Sequence, residues 1–210
     1  MNFKKLCPID TFCIFLIVGV LLFLFKEPLF SSTIFVSGDI GLSDFADFFL
    51  PTRIFFSRLL DLGQLPLWSK NIGFGFPLLA EGQVQGLFPP NLLLLVFPSV
   101  FAYNLNIFLA VLTAGFTTFL FCRRGLNFKP LVAAFAAVAF SLSAPITMHW
   151  KHLTMLWVIA VFPLELYLVE RLFGSRNQHE STQIKSANLR EAEVGGRFQI
   201  VPFILKMALL

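Results

Sequence analysis

Long apolar runs alternate with shorter polar connections along the 210-residue chain. A bilayer core takes about 20 apolar residues as a helix, because lipid offers the backbone no hydrogen-bond partner outside the segment itself. Four runs reach this length and predict transmembrane helices over residues 11–30, 100–122, 129–148 and 153–172. The last apolar run, from about residue 199, resembles a fifth span cut short, so we expect the chain to be an N-terminal fragment of a longer protein.

The pattern predicts an all-α fold, a polytopic transmembrane helical bundle in a single membrane domain. Composition agrees, since 57% of the residues are hydrophobic and only 13% are charged. Small residues recur within the spans, as AAFAAVAFSLSA in the third and as Ala110 and Ala114 in the second. Such faces let transmembrane helices approach closely.

Basic residues mark one set of connections and so predict orientation. They are Lys4 and Lys5 before the first span, Arg123, Arg124 and Lys129 between the second and third, and Arg171, Arg176, Lys185, Arg190 and Arg197 after the fourth. The positive-inside rule places the N-terminus and the loop 174–198 in the cytoplasm. The connections 31–99 and 148–152 then share the external side. Because the basic residues form no stripe, the net charge of +4 reflects orientation and not nucleic-acid binding.

Two features of the long external connection are predicted from its pattern. Apolar residues from Phe45 to Leu60 recur with a helical period, and Pro51 divides a short turn near 44–50 from a helix over about 51–62. We expect the phenylalanine face of this amphipathic interfacial helix to lie in the outer leaflet surface. The stretch PPNLLLLVFP at 89–98 is too short to cross and predicts a half-helix or re-entrant piece.

Asp44 and Asp47 lie on the polar side of this helical pattern, one turn apart. In one interpretation these carboxylates only solvate a surface helix and balance Arg53 and Arg58. The rest of the connection is dense in Gly, Pro and Trp, which a flexible linker would not need. That density keeps a functional interpretation open.

Several motifs in this connection carry a family resemblance. LPLW at 65–68 and FPPN at 88–91, followed by FCRRGL, AFSLSA and KHLTMLW, resemble the bacterial YfhO-like membrane proteins of the GT-C class of polytopic glycosyltransferases. The resemblance covers residues 38–173. It implies a GT-C-like bundle in the bacterial inner (plasma) membrane that transfers a sugar from a polyprenyl-phosphate-linked donor to an extracytoplasmic acceptor, a glycan or lipid.

The resemblance also implies site residues. The family's presumed catalytic carboxylate corresponds to Asp44, and a second acidic position corresponds to Asp47. The pair Gly38 and Asp39 supplies a rival match, so Asp39 stays an alternative to Asp44.

Glycosyl transfer from a lipid phosphate needs a base near the acceptor hydroxyl and cations or a metal beside the departing phosphate. Candidates for binding the phosphate are Arg53, Arg58, Lys70, His149, Lys151 and His152. His149 and His152 could also ligate a metal, but no neighbouring carboxylate completes a set. Asp44 and Asp47 could instead hold a divalent cation, Mg²⁺ or Mn²⁺, between them. The three cysteines show no paired spacing, so neither a disulfide framework nor a metal site is predicted from them.

Two other functions remain open from sequence. One is a transporter or flippase for a lipid-linked substrate, with the external connection as a gate. The other is a non-enzymatic envelope assembly protein. Glu165, within the fourth span, favours the first alternative mildly, and we expect it to face the bundle or to be protonated, because a charge in lipid costs about 2.5 to 3.5 kcal/mol on insertion scales.

Overall fold

Four helices that are long and apolar enough to cross a membrane make up the scaffold. The computed structural model describes residues 7–31, 33–34 and 44–173. The helices run over Pro8–Phe30, Ser99–Gly125, Pro130–Thr147 and Leu153–Phe173. They lie at the positions predicted for the four spans, and the all-α polytopic bundle is confirmed.

The spans and their connections contain nine helical elements within the described residues. In chain order they are α1 (Pro8–Phe30), a first π-helical turn (Phe45–Phe49), α2 (Leu50–Asp61), a 3₁₀ helix (Pro89–Leu95), α3 (Ser99–Leu120), a second π-helical turn (Phe121–Gly125), α4 (Pro130–Ser141), α5 (Ala144–Thr147) and α6 (Leu153–Phe173). The chain divides into two compact units, residues 1–167 and 168–210. Of the second unit, residues 168–173 are described, and they are helical and exposed. The predicted loop 174–198, the predicted span from about 199 and Asp39 lie outside the described residues.

Helices α1 and α3 run antiparallel, and polar contacts fix both of their ends. At one end Nε of Arg123 donates a 2.6 Å hydrogen bond to Oδ1 of Asp10, and the two side chains form an ion pair. At the other end the Asn104 amide donates to the carbonyl of Pro28 over 2.7 Å. Between these contacts, α1 buries a stripe at intervals of four residues, which is one face of an α-helix: Cys13, Ile17, Leu21, Phe25 and Leu29.

Small residues bring α1, α3 and α4 into close contact. Ala110 and Ala114 on α3 are fully buried, as the sequence pattern predicts. A Cβ atom on Gly115 would lie only 2.8 Å from Oγ of Ser141 on α4 and 3.3 Å from Cγ2 of Ile17 on α1. Glycine at this position therefore lets three helices meet at the centre of the bundle.

The connection between α1 and α3 contains the turn and the helix that the sequence predicts, and the two are joined directly. Pro51 lies in the first turn of α2, and the preceding residues form a π-helical turn in which the amide of Leu50 donates to the carbonyl of Phe45. A proline that lacks an N–H is tolerated in a first turn, because that donor has no intrahelical partner. The predicted turn near 44–50 and helix over about 51–62, with Pro51 in its first turn, are therefore confirmed.

Phe45, Phe49 and Phe56 of this segment are buried in protein, so the expected placement of the phenylalanine face in the outer leaflet is wrong for these three rings. Phe48 and Phe55 are half-buried. Phe45 lies edge-on to Tyr103 of α3, with ring centroids 5.0 Å apart. Phe56 is buried with Leu78 and Val84 in a second, smaller core inside the connection. A Cβ on Gly86 would lie 2.2 Å from the Phe56 ring, so this core depends on a residue without a side chain at position 86. The connection has a folded interior of its own.

The structure also tests the predictions for residues 89–98 and for Glu165. The stretch at 89–98 contains a seven-residue 3₁₀ helix that packs against α2 and α3, and at about 2 Å rise per residue it is far too short to cross a bilayer. Glu165 is exposed on α6, so of the two states expected for it, the described residues do not show the one in which it faces the bundle. Its neighbours on that side of α6, including Phe162 and Leu166, are also exposed.

Candidate functional site between the two connections

The two connections predicted to lie outside meet at one end of the bundle. The ring of Phe49, in the first π-helical turn, lies edge-on to the imidazole of His152, with centroids 5.3 Å apart. The hydroxyl of Tyr103 donates to the carbonyl of Lys151 over 3.2 Å. The hydroxyl of Thr154, in the first turn of α6, lies 3.5 Å from the carbonyl of Gln83. These contacts confirm the deduction that both connections share one side.

Asp44 and Asp47 lie at the start of this assembly, and both are exposed. Asp44 is the residue that precedes the π-helical turn, and Asp47 lies within its first turn. Phe45 and Phe49, on the other side of the same turn, are anchored in the protein. The buried phenylalanines therefore hold the two carboxylates at the surface of the site.

The pKa of His152 is shifted by charged groups from both connections. Burial is the largest effect and lowers its pKa from the usual value of 6.5, and the positive charges of Lys151 and His149 lower it further. The carboxylate of Asp44 opposes the shift, which places Asp44 within electrostatic range of the imidazole. A pKa below 6.5 means that His152 is predominantly neutral at pH 7 and can accept a proton.

His149 is held by its own turn. Its Nδ1 lies 2.7 Å from the carbonyl of Pro145, and its ring centroid lies 6.2 Å from that of His152. A hydrogen bond from Nδ1–H to this carbonyl leaves Nε2 as the free ring nitrogen. Within residues 7–31, 33–34 and 44–173, no group of three or more His, Cys, Asp or Glu side chains is placed to hold a metal ion.

Arg53 differs from the solvent-facing cation expected from sequence. Arg53 is only 2% exposed. Its Nε donates to the carbonyl of Val84 over 3.2 Å, and its Nη2 donates to the carbonyl of Gln83 over 2.9 Å. Burial lowers its pKa, and interaction with the Tyr103 hydroxyl opposes that shift. The guanidinium therefore braces the loop around residue 84 against α2, a structural role that the sequence did not predict.

The remaining predicted cations divide by position. Arg58 lies on α2, and Lys70 lies in the loop beyond that helix, and both are exposed. In the described part of the chain, no hydrogen bond or ion pair joins either residue to Asp44 or Asp47. Lys151 lies between the two histidines in the segment that contacts Tyr103. Of the three, Lys151 alone lies in the segment that is in direct contact with the first connection.

A buried polar network behind the site was not predicted from the sequence. Asn91, in the 3₁₀ helix, donates to the carbonyl of Gln85 over 2.8 Å and accepts a 2.8 Å bond from the Asn106 amide of α3. The indole of Trp157, on α6, donates to Oδ1 of Asn106 over 2.8 Å. The sequence signal was available, because asparagines within an apolar span are costly unless they find partners. The network ties the first connection to two membrane-spanning helices.

Comparison with protein-family models, curated proteins and solved structures finds no match for this chain. The fold and the meeting of the two connections therefore stand on the chain's own geometry, and they assign it as an all-α polytopic membrane protein.

Proposed function

We propose that the protein is a membrane glycosyltransferase that takes a sugar from a polyprenyl-phosphate-linked donor and attaches it to an acceptor hydroxyl outside the cytoplasm. The observation that carries the proposal is the position of Asp44, an exposed carboxylate directly before the π-helical turn whose Phe49 ring contacts His152 at the junction of the two connections. The resemblance of residues 38–173 to the YfhO-like GT-C proteins supports the same reaction. On this proposal the protein lies in the bacterial inner membrane with its N-terminus in the cytoplasm.

The transfer requires one proton acceptor and one stabilised leaving group. The acceptor hydroxyl attacks C1 of the sugar, a new C1–O bond forms, and the bond from C1 to the phosphate oxygen breaks. The hydroxyl proton passes to the carboxylate of Asp44, with Asp47 one turn away as the second acid of the pair. Polyprenyl phosphate leaves with the bonding electrons.

The leaving phosphate needs cationic or hydrogen-bonding groups. Lys151 and His149 lie in the segment that contacts the first connection, so we assign them to the phosphate. His152 is predominantly neutral because of its lowered pKa, and this suits hydrogen bonding or proton transfer better than charge stabilisation. Arg58 and Lys70 are secondary candidates on the first connection. Arg53 is not assigned to the phosphate, because the residue is 2% exposed and its Nε and Nη2 already donate to backbone carbonyls.

The site position suits a lipid-linked donor. The two connections meet beside the ends of α3 and α6, where the hydrocarbon part of the bilayer gives way to water. An isoprenoid tail can remain in lipid while its phosphate reaches the connections. The acceptor approaches from the aqueous side, where Asp44 is exposed.

Purified protein reconstituted in vesicles tests the proposal with a radiolabelled polyprenyl-phosphate sugar and candidate glycan and lipid acceptors. We expect transfer by the wild type, loss of transfer by Asp44→Asn, and retained transfer by Asp61→Asn, an exposed aspartate at the far end of α2. Wild-type product from Asp44→Asn would remove Asp44 from the mechanism. Movement of the donor across the vesicle without transfer would replace the proposal with a flippase, and neither activity would favour an assembly component.

A further inference from the structure

The loop that follows α2 exposes large apolar side chains along a short part of the chain. Leu62, Leu65, Leu67 and Trp68 are all more than half exposed, and Phe74 is fully exposed. Side chains of this size on a soluble surface would mark an interaction site. They lie outside the bundle and outside the small core around Phe56.

This exposure is built into the fold. Ser69 and Phe76 form an antiparallel bridge through backbone hydrogen bonds of 2.7 and 2.8 Å, which closes residues 69–76 into a tight hairpin. The tip turns at Gly73 and Gly75, whose φ angles of +56° and +124° would strain any residue that carries a side chain. The ring of Trp68 packs so closely on Gly75 that a Cβ there would meet it at 2.5 Å. Phe74 is therefore held outward by its neighbours.

The charge of this segment favours a lipid partner. Between Asp61 and Glu81 the sequence contains a single ionisable side chain, Lys70, and it is exposed beside Trp68. Aromatic side chains with a neighbouring lysine are typical of the membrane–water interface, where the ring lies among headgroups and the ammonium meets lipid phosphates. A protein-binding surface would gain specificity from charges of both signs, which this segment lacks.

Exposed apolar residues also occur where the connection joins the membrane-spanning part. Val96 and Phe97, just before the first residue of α3, are exposed, and α3 is one of the four helices that can cross the bilayer. The connection is thus attached at its C-terminal end to a helix that starts at the lipid boundary. The bilayer that holds α3 is the apolar phase nearest to the loop.

We propose that the segment 62–76, which ends in the hairpin 69–76, docks on the surface of the bilayer that the protein's own helices span. Phe74 and Trp68 insert among the headgroups, and Lys70 pairs with anionic lipid. This surface takes the membrane-contacting role that the sequence pattern predicts for the phenylalanine face of α2, where Phe56 is instead buried in protein and Phe55 is half-buried. The proposal is independent of the glycosyltransferase assignment.

Depth measurement by spin labelling tests this docking. Phe74→Cys and Gly82→Cys are made in a protein whose three cysteines are replaced by alanine, and each carries a nitroxide label. Gly82 is the matched control, because it lies exposed in the same connection with no atom within 4 Å of a Cβ. The protein is reconstituted in nanodiscs of phosphatidylethanolamine and phosphatidylglycerol, which leave both membrane faces open to reagents.

We expect the label at 74 to collide more with oxygen than with a water-soluble nickel chelate, and the label at 82 to show the reverse. Lys70→Glu should shift the label at 74 towards water. Equal, water-like accessibility at both positions would overturn the proposal. Protection at 74 that disappears when each nanodisc holds a single protein molecule would also overturn it, since a second copy would then be the partner.

Discussion

Phe49 and His152 lie ring to ring, with centroids 5.3 Å apart, although 103 residues separate them in the chain. One belongs to the connection after α1, and the other to the connection before α6. An odd number of crossings between them would place these residues on opposite sides of the membrane. Their contact therefore fixes the relative topology of the described helices.

Topology can be checked by cysteine labelling of a cysteine-free protein in intact cells. Asp47→Cys and Met148→Cys, both at exposed positions, should react alike with a membrane-impermeant maleimide. Leu126→Cys, exposed in the connection between α3 and α4, should give the opposite result. Equal labelling at positions 47 and 126 would contradict the arrangement of the spans.

Arg53→Met should destabilise the protein by about 1.5 to 3 kcal/mol, because the carbonyls of Gln83 and Val84 lose hydrogen bonds from a charged donor. Arg58→Met, an exposed position on the same helix, should change the free energy of unfolding by less than about 0.5 kcal/mol. Denaturant titration in detergent micelles measures both. A neutral Arg53→Met would return the residue to the list of candidate substrate ligands.

Gly86→Ala tests the small core of the first connection. The added methyl would meet the Phe56 ring, and overpacking of this kind costs about 1 to 3 kcal/mol. Gly82→Ala, with open space around its Cβ, is the near-neutral control. Combining Gly86→Ala with Phe56→Leu should recover part of the loss, and thermal melting of the four proteins shows whether it does.

The pair Asn106 and Trp157 should be energetically coupled. Asn106→Leu leaves the indole N–H of Trp157 and the side-chain oxygen of Asn91 without their partners, at a cost of about 1 to 3 kcal/mol for each buried group. In a double-mutant cycle with Trp157→Phe we expect a coupling of about 0.5 to 3 kcal/mol. Thr113→Val on α3, whose hydroxyl bonds the carbonyl of Leu109, should add to Trp157→Phe without coupling.

His152 should make the protein acid-sensitive. Its folded-state pKa is below the usual 6.5, so the unfolded chain binds the proton more tightly, and stability falls as the pH drops through 6.5 towards the folded value. His152→Gln should remove this component of a melting-temperature profile. Asp44→Asn should enlarge it, since Asp44 is the group that raises this pKa. Identical pH profiles for wild type and His152→Gln would show that the imidazole is not perturbed.

The spans were predictable because their signal is local. Four long apolar runs predict the number and the positions of the spans 11–30, 100–122, 129–148 and 153–172, and the described helices follow both. The small-residue contact at Ala110 and Ala114 was likewise readable from spacing alone. Each of these features depends on composition within one segment and on the absence of hydrogen-bond partners in lipid.

What the sequence did not predict depends on contacts between distant segments. The helical period of α2 shows which residues share its apolar face, but not whether protein or lipid covers that face. Arg53 illustrates the difficulty, because a basic residue near a membrane surface resembles a phosphate ligand until the carbonyls of Gln83 and Val84 are placed around it. The partners of Asn106 lie 15 and 51 residues away, beyond the range of any local pattern.

The hydrogen bond between Asn106 and Trp157 has a consequence for biogenesis. During synthesis α3 emerges well before Trp157, so Asn106 enters the translocon without the indole that later satisfies it. Until α6 follows, the first connection can be assembled only against the elements that precede α6 in the chain. The amide of Asn106 has its acceptor, Asn91, in the connection that is synthesised first, whereas its side-chain oxygen gains the indole donor only after α6 has been inserted.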